Sequence, residues 1–360
     1  GGLLRMGPQS ASSKPGPACY GLGGQEPTCT DADLVLGYLD PDFFAGGRMK
    51  LDLEAAGRAI EEKVGRPLGF DLTRAAAGMY DVINVNMAAA VREVAVQHGQ
   101  DPRDFPLVVA GGAGPNHACK IALELEIPLL LVPRESSIFC AAGMLMSDLQ
   151  HDFVRSYPVV LAEADPRRLA AVFEEMRAEG RKLLQEEGLR PDKIRFIHSL
   201  DLRYVRQYHE VTVEVPAEEI ERCDFAAMTA RFHPAHFQLY GYELKEEKTP
   251  VELINMRLRA VGLTDKPGFF EQDYAGPEAS AALKGRRPVY LPNEGQYFKT
   301  PVFDAFALSF GNQIAGPAIL EQVNTTIFVT PEYKVLVDRF GSYTLYLPSV
   351  EDEVKARILP

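Results

Sequence analysis

The sequence predicts an α/β fold that is followed by a small α+β domain and a C-terminal β-rich module. The first observation is a strand, a glycine turn, a helix and a second strand in succession over residues 106–132, which is the order typical of a parallel α/β layer. The second is a change to long alternating stretches that flank one helix over residues 191–263. The third is a series of short apolar stretches separated by Gly, Pro and Asn over residues 287–347.

The N-terminal part predicts helices after an irregular lead-in. Residues 1–48 are dense in glycine and proline and favour only one short helix, over 31–38. Apolar residues recur at helical spacing over 52–64 and again over 72–98, where they indicate a long helix with one buried face.

The predicted α/β layer is centred on a glycine turn at 111–114. A short apolar strand at 106–110 precedes the turn, and Pro115 lies where the next helix begins. A second buried strand follows at 129–132, and a helix rich in small residues is expected at 136–147. Together these elements predict one parallel layer.

The second half of the sequence predicts three further parts. A charged amphipathic helix over 165–187 is expected to connect domains, and two alternating stretches at 195–215 and 251–261 flank a helix predicted at 218–240. The predicted boundaries are 1–155 for the α/β lobe, 156–190 for the connector helix, 191–263 for the small α+β domain and 264–360 for the C-terminal β module.

The composition is that of an ordinary globular protein, with 46% hydrophobic and 24% charged residues. Fifty acidic against 38 basic residues give a net charge of −12, which argues against binding the phosphate backbone of a nucleic acid. No apolar run approaches the roughly 20 residues that span a bilayer. We therefore expect neither a nucleic-acid partner nor a membrane segment.

The cysteines are scattered and form no CxxC pair. An odd number at such spacing disfavours both a disulfide scaffold and a zinc ribbon, and it favours a reducing compartment, the cytoplasm. The five are Cys19, Cys29, Cys119, Cys140 and Cys223. The first residues, Gly1 and Gly2, resemble neither a start methionine nor a signal peptide, so we expect the chain to be part of a longer polypeptide.

The glycine turn is the strongest candidate binding site. Glycines directly after a buried strand let a ligand approach the backbone, and the helix that follows presents free N–H groups. An adenine nucleotide and a tight turn without a ligand are about equally compatible with the motif, which has neither the lysine of a P-loop nor GxGxxG spacing. The predicted nucleotide-binding residues are Gly111, Gly112, Ala113, Gly114 and Asn116.

Several other polar residues have two possible roles. His117 either faces the ligand or packs against the strand, and Asp31 either approaches the site or caps a helix. Asp148 is a second acid that could approach the site. His233 and His236 have the spacing of a metal pair, but no third ligand has suitable spacing, so we predict no metal site among the side chains.

Three further sets of residues are expected to be structural. Asn84 and Asn86 lie in an apolar helix and are expected to hydrogen-bond rather than catalyse. Tyr204 and Tyr208 are expected to pack on a sheet, and Cys140 is expected to be buried and inert.

The order of motifs along nearly the whole chain resembles the hydantoinase A/oxoprolinase family. The matching segments include Pro15-Gly16-Pro17-Ala18-Cys19-Tyr20-Gly21, residues 27–37, 84–88 and 99–105, Gly111-Gly112-Ala113-Gly114-Pro115, residues 151–156, 202–204 with Gln207, 240–242, and 316–319 with 325–326. The family usually has aspartate, asparagine and leucine where Lys14, Asp33 and Asn116 stand, and we expect these positions to adjust substrate choice or packing.

The resemblance implies a fold and a chemistry. The fold is the second lobe of an actin-like ATPase, as in actin, Hsp70 and the sugar kinases, and residues 111–114 are its adenosine-contacting loop. The chemistry uses ATP and Mg²⁺ to phosphorylate a carbonyl or amide oxygen of a small molecule. Two reactions follow from that step, ring opening of a hydantoin or other cyclic amide and carboxylation of a ketone such as acetone or acetophenone.

The resemblance also implies partners. The family's phosphate-binding segments belong to an N-terminal lobe, which this sequence does not contain, so we expect no ATP hydrolysis by the chain alone. That lobe is expected in the same subunit or in a separate chain, and a hydantoinase B-type large subunit is expected as well. The alternative is a non-catalytic structural or assembly subunit, and a sugar-kinase relative is disfavoured because the matches extend into the C-terminal half.

Overall fold

The computed structural model describes residues 3–360 and contains both helices and strands, with four helices before the first strand and a run of strands before the last helix. The helices are α1 (Cys29–Val35), α2 (Leu53–Ile60), α3 (Arg66–Leu68), α4 (Leu72–Gln97), α5 (Gly114–Glu124), α6 (Phe139–Met146), α7 (Pro166–Glu186), α8 (Ala217–Arg222), α9 (Phe225–Tyr240) and α10 (Glu351–Ile358). The strands are β1 (Leu107–Val108), β2 (Leu129–Val132), β3 (Leu149–Val160), β4 (Ile194–Tyr204), β5 (Val211–Val215), β6 (Val251–Gly262), β7 (Leu283–Leu291), β8 (Gln296–Asp304), β9 (Gln313–Ala315), β10 (Ala318–Glu321), β11 (Thr326–Val329), β12 (Lys334–Val337) and β13 (Tyr343–Tyr346). The chain is therefore mixed α/β.

Side-chain caps fix where several helices begin. Asp52, Asp71, Asp165 and Asp224 precede α2, α4, α7 and α9, and each carboxylate accepts a backbone N–H from the first turn of its helix. Such caps satisfy donors that have no partner inside the helix. The helix starts are thus set by local sequence.

The described residues divide into two compact units. One unit holds the chain up to Ala142 together with Gly268–Pro360, and the other holds Gly143–Pro267. The first unit therefore combines the two ends of the chain.

The larger sheet of the first unit has the strand order β1-β2-β13-β12-β9. Strands β1 and β2 are parallel, and β13 pairs antiparallel with β2, so that Tyr346 lies opposite Leu129. A buried cluster that includes Leu130, Val335 and Leu345 joins this sheet to α5. The C-terminal strands are consequently part of the same layer as the glycine turn.

A second sheet in the same unit has the order β11-β10-β8-β7. Its buried residues Ile319 and Phe328 share a core with residues of α1 and α4. In that core Tyr38 stacks on Phe328 with ring centroids 4.4 Å apart and contacts Tyr80 at 4.9 Å. This core holds α1 and the segment after it against the sheet.

The second unit is an antiparallel sheet with helices on one face. Its strand order is β3-β6-β4-β5, and its core includes Phe173 and Met176 of α7 and Met228 and Phe232 of α9. The sheet and the two helices thus enclose one core.

The predicted domain boundaries differ from this arrangement. The C-terminal module predicted at 264–360 is not separate, because β9, β12 and β13 complete the sheet that begins with β1 and β2. The connector helix predicted at 156–190 instead packs on the sheet of the second unit, and that sheet includes β3, which no pattern predicted.

The helix predicted over 218–240 is two helices. Cys223, between α8 and α9, has a left-handed backbone with φ +49°, and Asp224 then caps α9. Within residues 3–360, every helix is too short or too polar to cross a bilayer.

Candidate functional site

The glycine turn joins β1 to α5 in a backbone conformation that requires glycine. Gly111 has φ +101°, which L side chains rarely adopt, and its N–H donates to the carbonyl of Ser136 at 2.7 Å. The preceding Val109 N–H donates to Leu131 O at 2.8 Å. The turn is therefore held by hydrogen bonds to β2 and to the segment after it.

Gly112 is in close contact with the turn between β10 and β11. A Cβ built on Gly112 would lie 3.0 Å from the carbonyl oxygen of Asn324, and Thr325 Oγ1 donates to Gly112 O at 2.7 Å. The two turns are thus joined directly, although Gly112 and Thr325 are 213 residues apart.

A cavity of about 300 Å³ opens where these two turns meet α1. Gly112, Ala113 and Asn116 form one wall, and residues 321–326 form a second. The remaining lining comes from Tyr20, Thr30 and Asp33 and from residues between 39 and 45, which include Phe43 and Phe44. The space is concave, is lined by both aromatic and polar groups, and lies within the first unit.

Of the predicted binding residues, Gly112, Ala113 and Asn116 line the cavity. Gly111 and Gly114 lie in the same turn but do not line it. No side chain caps the start of α5, whose N-cap residue is Ala113. The nucleotide assignment of these residues stays a prediction at this point.

Polar atoms without hydrogen-bond partners lie in the cavity lining. Within the part of the chain that the structure describes, Asp33 Oδ1, both side-chain atoms of Asn116 and Gln322 Oε1 are buried and unpartnered. These residues are 5%, 3% and 4% exposed, respectively. Folded proteins hydrogen-bond most buried polar groups, so hydrogen bonding is incomplete at this part of the lining.

His117 lies behind the cavity wall rather than in it. Its Nε2 is 3.5 Å from Asp33 Oδ2, and its ring stacks on Tyr80 with centroids 5.1 Å apart. The hydroxyl of Tyr80 donates to Asn116 O at 3.1 Å. His117 therefore packs behind the lining and does not face the cavity, although it packs on α1 and α4 and not on the strand that the sequence suggested.

The second wall carries a buried ion pair. Glu321 accepts a hydrogen bond from Arg287 and another from Lys284 Nζ at 2.6 Å. Arg287 also donates to the carbonyls of Gly37 and Tyr38, at 2.8 and 2.7 Å. The carboxylate is thereby neutralised, and the segment after α1 is tied to β7 and β10.

The thiols beside the cavity are protonated at neutral pH. Burial and then the charge of Asp33 raise the pKa of Cys29 to about 11. Burial and then the charge of Asp31 raise the pKa of Cys19 further. Neither residue supplies a thiolate nucleophile.

Asp31 has a structural role. It occupies the third position of α1, not the cap position, and forms a reciprocal capping box with Thr28. Its carboxylate also accepts the N–H groups of Ala18 and Cys19, at 3.2 and 2.8 Å. Asp31 thus fixes the lead-in against α1.

The remaining candidate acid and the histidine pair lie in the second unit. Asp148 accepts from Lys266 Nζ at 2.5 Å, and that hydrogen bond lowers the pKa of the carboxyl group. His233 Nδ1 bonds to the hydroxyl of Tyr204 at 2.8 Å, and His236 Nδ1 bonds to Tyr242 O at 2.9 Å. Across residues 3–360, no three His, Cys, Asp or Glu side chains are placed to hold a metal ion.

The predictions of structural roles are only partly confirmed. Asn84 and Asn86 do hydrogen-bond, to Tyr80 O at 2.7 Å and to Met6 O at 3.1 Å. Tyr204 is buried in the core of the second unit, whereas Tyr208 is 92% exposed. Cys140 is exposed, so the prediction that it is buried was wrong; its helix, α6, has no buried residue.

Sequence patterns did not identify the second wall. Gln322, Asn324 and Thr325 line the cavity although they lie more than 200 residues after the glycine turn. Only the order of matched motifs, which included residues 325–326, connected the two regions.

Two family models match the chain. The model described as hydantoinase/oxoprolinase matches residues 1–153, and the one described as hydantoinase/oxoprolinase C-terminal domain matches residues 161–345. The two together cover most of the sequence.

Curated relatives match over nearly the same length. The chain is 35% identical over 347 residues to the caprolactamase subunit alpha of Pseudomonas jessenii, with 96% of this chain and 50% of that protein covered. It is 36% identical over 356 residues to the acetophenone carboxylase gamma subunit of Aromatoleum aromaticum, with 95% and 47% covered. The chain thus spans about half the length of these relatives.

Two solved structures resemble the fold. The ATP-dependent caprolactamase of Pseudomonas jessenii has a TM-score of 0.78 at 35% identity, and 96% of this chain matches 50% of that one. A nucleotide-free acetone carboxylase structure has a TM-score of 0.82 at 23% identity, with the same 96% and 50% coverage, and this likeness shows the fold alone.

Proposed function

The chain belongs to the hydantoinase/oxoprolinase family, and from this we propose that it is part of an ATP-dependent enzyme subunit that activates a carbonyl or amide oxygen by phosphorylation. The names of the two curated relatives support this chemistry, since one acts on a cyclic amide and the other carboxylates a ketone. Phosphorylation turns a poor electrophile into a reactive one. The substrate is therefore either a hydantoin or other cyclic amide, or a ketone of the acetone or acetophenone type.

The observation that carries the proposal is the cavity against the glycine turn. Its wall at Gly112 and Ala113 exposes backbone without a bulky side chain, and Asn116 adds unpartnered polar atoms. A ligand with a flat ring and polar edges suits such a space. The proposed nucleotide-binding residues are Gly111, Gly112, Ala113, Gly114 and Asn116.

The residues present fit the nucleoside part of ATP. Gly112 and Ala113 put two small residues in the cavity lining, and Asn116 beside them carries polar atoms without protein partners. ATP supplies the phosphoryl group that activates the substrate oxygen. We propose that this part of the chain is the second lobe of an actin-like ATPase fold.

The same residues do not fit Mg²⁺. Of the three carboxylates in the cavity lining, Glu321 is paired with Lys284 and Arg287, and Asp40 lies 3.6 Å from Arg287. The third, Asp33, lies 3.5 Å from His117 Nε2, and no set of three possible ligand side chains is formed among residues 3–360. A carboxylate already neutralised by a cation is a poor ligand for a divalent ion. We assign no Mg²⁺ ligand among the described residues.

We propose that partners complete the site. The curated relatives are about twice as long as the matched region, and both are named as subunits. The groups that hold Mg²⁺ and the phosphates would then come from an N-terminal lobe, in the same subunit or in a separate chain. A hydantoinase B-type large subunit is the second proposed partner, and the cytoplasm is the proposed location.

A non-catalytic assembly subunit is the competing function. Such a subunit could keep the fold without turning over ATP, although the retained glycines Gly111, Gly112 and Gly114 speak against it. The two functions differ in one measurable property, substrate-dependent ATP hydrolysis.

The test is phosphate release from ATP by the chain purified with the partners that accompany it. One series contains hydantoins and lactams, and the other contains ketones with bicarbonate. The proposal predicts that one series stimulates phosphate release. An assembled complex that releases no phosphate with either series would overturn the enzymatic function and leave the assembly function.

A further inference from the structure

Four phenylalanines and one arginine lie together on the first unit and are called the aromatic surface below. Its residues are Phe269, Phe270, Phe306, Phe340 and Arg134. Phe269 and Phe340 meet edge to face with ring centroids 5.8 Å apart, and the guanidinium carbon of Arg134 lies 5.6 Å from the centre of the Phe306 ring. A Cβ on Gly341, the residue after Phe340, would lie 2.9 Å from Arg134 Nη1, so Arg134 connects the two pairs.

The phenyl rings of the aromatic surface are exposed. Phe270 is 81% exposed, Phe269 is 69% exposed and Phe306 is 46% exposed. A single exposed apolar side chain is ordinary, but neighbouring ones mark an interaction site. Aromatic residues and arginine are also enriched at protein interfaces, where they provide much of the binding energy. The composition therefore indicates a surface that binds another protein.

Arg134 adds a positive charge that has no counterion. Its hydrogen bonds are made by its backbone, with Ser342 Oγ and with Gln322 Nε2, at 3.2 and 3.0 Å. Among residues 3–360 its guanidinium has neither a carboxylate partner nor a hydrogen bond. The side chain is half-buried, and none of its nitrogens is a buried atom without a partner, so these nitrogens remain accessible to a binding partner.

Acids that neighbour these residues in the sequence do not neutralise Arg134. Asp338 Oδ1 accepts N–H groups of its own turn at 2.8 and 2.9 Å, and Glu271 lies 3.7 Å from Arg339. Glu135 is exposed and forms no ion pair with Arg134. An arginine between phenyl rings is complementary to a carboxylate that is flanked by apolar side chains.

A second copy of this chain is a poor occupant of the aromatic surface. In a symmetric dimer the same surface lies against itself, so Arg134 and Arg339 would approach the like charges of their own copies. The net charge of −12 adds a general repulsion between copies. These charges favour a different chain as the partner.

We propose that the aromatic surface is the docking site of a second, different subunit, which places a carboxylate flanked by apolar side chains against Arg134. The phenyl rings exclude water from this ion pair and so strengthen it. The inference rests on the partner chains of the proposed function but not on ATP turnover, because an assembly subunit would need the same contact.

The first experiment is photo-crosslinking in the complex that the chain forms with its co-purifying partners. The photo-reactive p-benzoylphenylalanine replaces Phe270, whose exposure lets the chain fold with the larger side chain. We expect a crosslink to a different subunit, at a peptide in which Asp or Glu lies among apolar residues. A crosslink only between two copies of this chain, or none in the assembled complex, would overturn the proposal.

Variants then test the contact itself. Phe270→Asp and Arg134→Glu should each weaken binding of the crosslinked subunit by about 10-fold or more, as measured by analytical ultracentrifugation. Phe237→Asp is the matched control, since Phe237 is 55% exposed but lies on α9 of the second unit, and it should bind like the wild type. Replacing the crosslinked carboxylate by lysine should weaken binding to the wild type and restore binding to Arg134→Glu.

Unchanged binding by both Phe270→Asp and Arg134→Glu would overturn the docking site, and the proposed function would survive if the complex still releases phosphate from ATP. Conversely, a complex that releases no phosphate but shows the crosslink and the charge rescue would overturn the enzymatic function and leave the docking site. A chain that purifies without any partner and forms no crosslink would contradict both the docking site and the proposed partners.

Discussion

Glu321 lies where the cavity wall meets the sheet, and its carboxylate is buried in the first unit. Its side chain is 2% exposed and is paired with Lys284 and Arg287. Removing one partner from a buried pair leaves the other charges uncompensated. We expect Glu321→Ala to lower the free energy of unfolding by about 3 kcal/mol.

A surface ion pair supplies the control for this prediction. Glu353 pairs with Arg357 one helical turn later in α10, and both side chains are more than half exposed. Exposed pairs contribute little, so Glu353→Ala should change stability by less than about 1 kcal/mol. Urea unfolding followed by circular dichroism measures both variants, and equal losses would contradict the role given to Glu321.

The buried side chain of His198 should make the stability of the second unit depend on pH. It is buried in the sheet and accepts a hydrogen bond from Arg177 Nε at 3.0 Å, which only the neutral ring can do. Burial and then the charge of Arg177 lower its pKa to about 4. An unfolded histidine titrates near pH 6.5, so below that pH the unfolded state binds a proton that the folded state does not.

Stability should therefore be constant above about pH 6.5 and fall as the pH drops from 6.5 to 4, by up to about 3 kcal/mol. Amide hydrogen exchange in β4 measures this loss. His198→Gln can still accept from Arg177 but does not titrate, so its loss over the same interval should be smaller. If the wild type and His198→Gln lose the same stability between pH 6.5 and 4, His198 is not the cause.

At the scale of single residues, the sequence predicted one side of the cavity and not the other. Glycines after a strand mark a close backbone approach, which is why the turn at 111–114 was recognisable. Gln322 and Thr325 carry no such local signal, because their role comes from a contact between segments 213 residues apart. The exposure of Cys140 was mispredicted since an apolar helix is usually buried.

Among the elements, α7 and its sheet approach each other unusually closely at Gly180. A Cβ on this glycine would lie 2.7 Å from Ala260 Cβ and 3.1 Å from a ring atom of Phe153. Glycine to alanine normally stabilises a helix interior by about 1 kcal/mol. Here overpacking should outweigh that gain, and we expect Gly180→Ala to destabilise the second unit by about 1–3 kcal/mol.

Gly57 provides the opposite case within α2. A Cβ there would meet only Leu72 Cδ2 at 3.4 Å, which is ordinary contact. Gly57→Ala should therefore stabilise by about 0.5–1 kcal/mol. Thermal melts of the two variants should shift in opposite directions, and a stabilising Gly180→Ala would show that helix and sheet are not closely packed.

Elements with strong periodicity were predicted well. The helix expected over 72–98 is Leu72–Gln97, and the strand expected at 129–132 is Leu129–Val132. The break between α8 and α9 escaped prediction because a left-handed cysteine interrupts a continuous helical pattern. Strand β3 was missed, and the predicted boundary between the lobe and the connector, after residue 155, falls inside it.

For the molecule as a whole, the division into units predicts which fragments fold. Residues 143–267 contain a complete sheet with its covering helices, so this fragment should fold alone. Residues 191–263, the domain predicted from sequence, lack β3 and α7 and should not. Circular dichroism and the dispersion of amide chemical shifts in NMR spectra distinguish folded from unfolded fragments. A folded 191–263 fragment would contradict the assignment of β3 and α7 to the same unit.

The grouping was not predictable from local patterns. Short strands near the C terminus have the spacing of a separate β module, and only their pairing with β2 reveals a shared sheet. The pairing of β13 with β2 joins residues more than 200 positions apart, and it depends on the packing of the whole unit. The motif order along the chain was the one signal in the sequence that spanned that distance.

The central claim is that the cavity at the glycine turn binds ATP, and calorimetry with Gly112→Val tests it most directly. The valine side chain would meet the carbonyl of Asn324, whereas Gly268→Val is a matched control at an exposed glycine with no neighbouring atom within 4 Å. In the chain with its co-purifying partners, ATP should bind to the wild type and to Gly268→Val but not to Gly112→Val. Equal binding by all three proteins, or by none of them, would contradict the account.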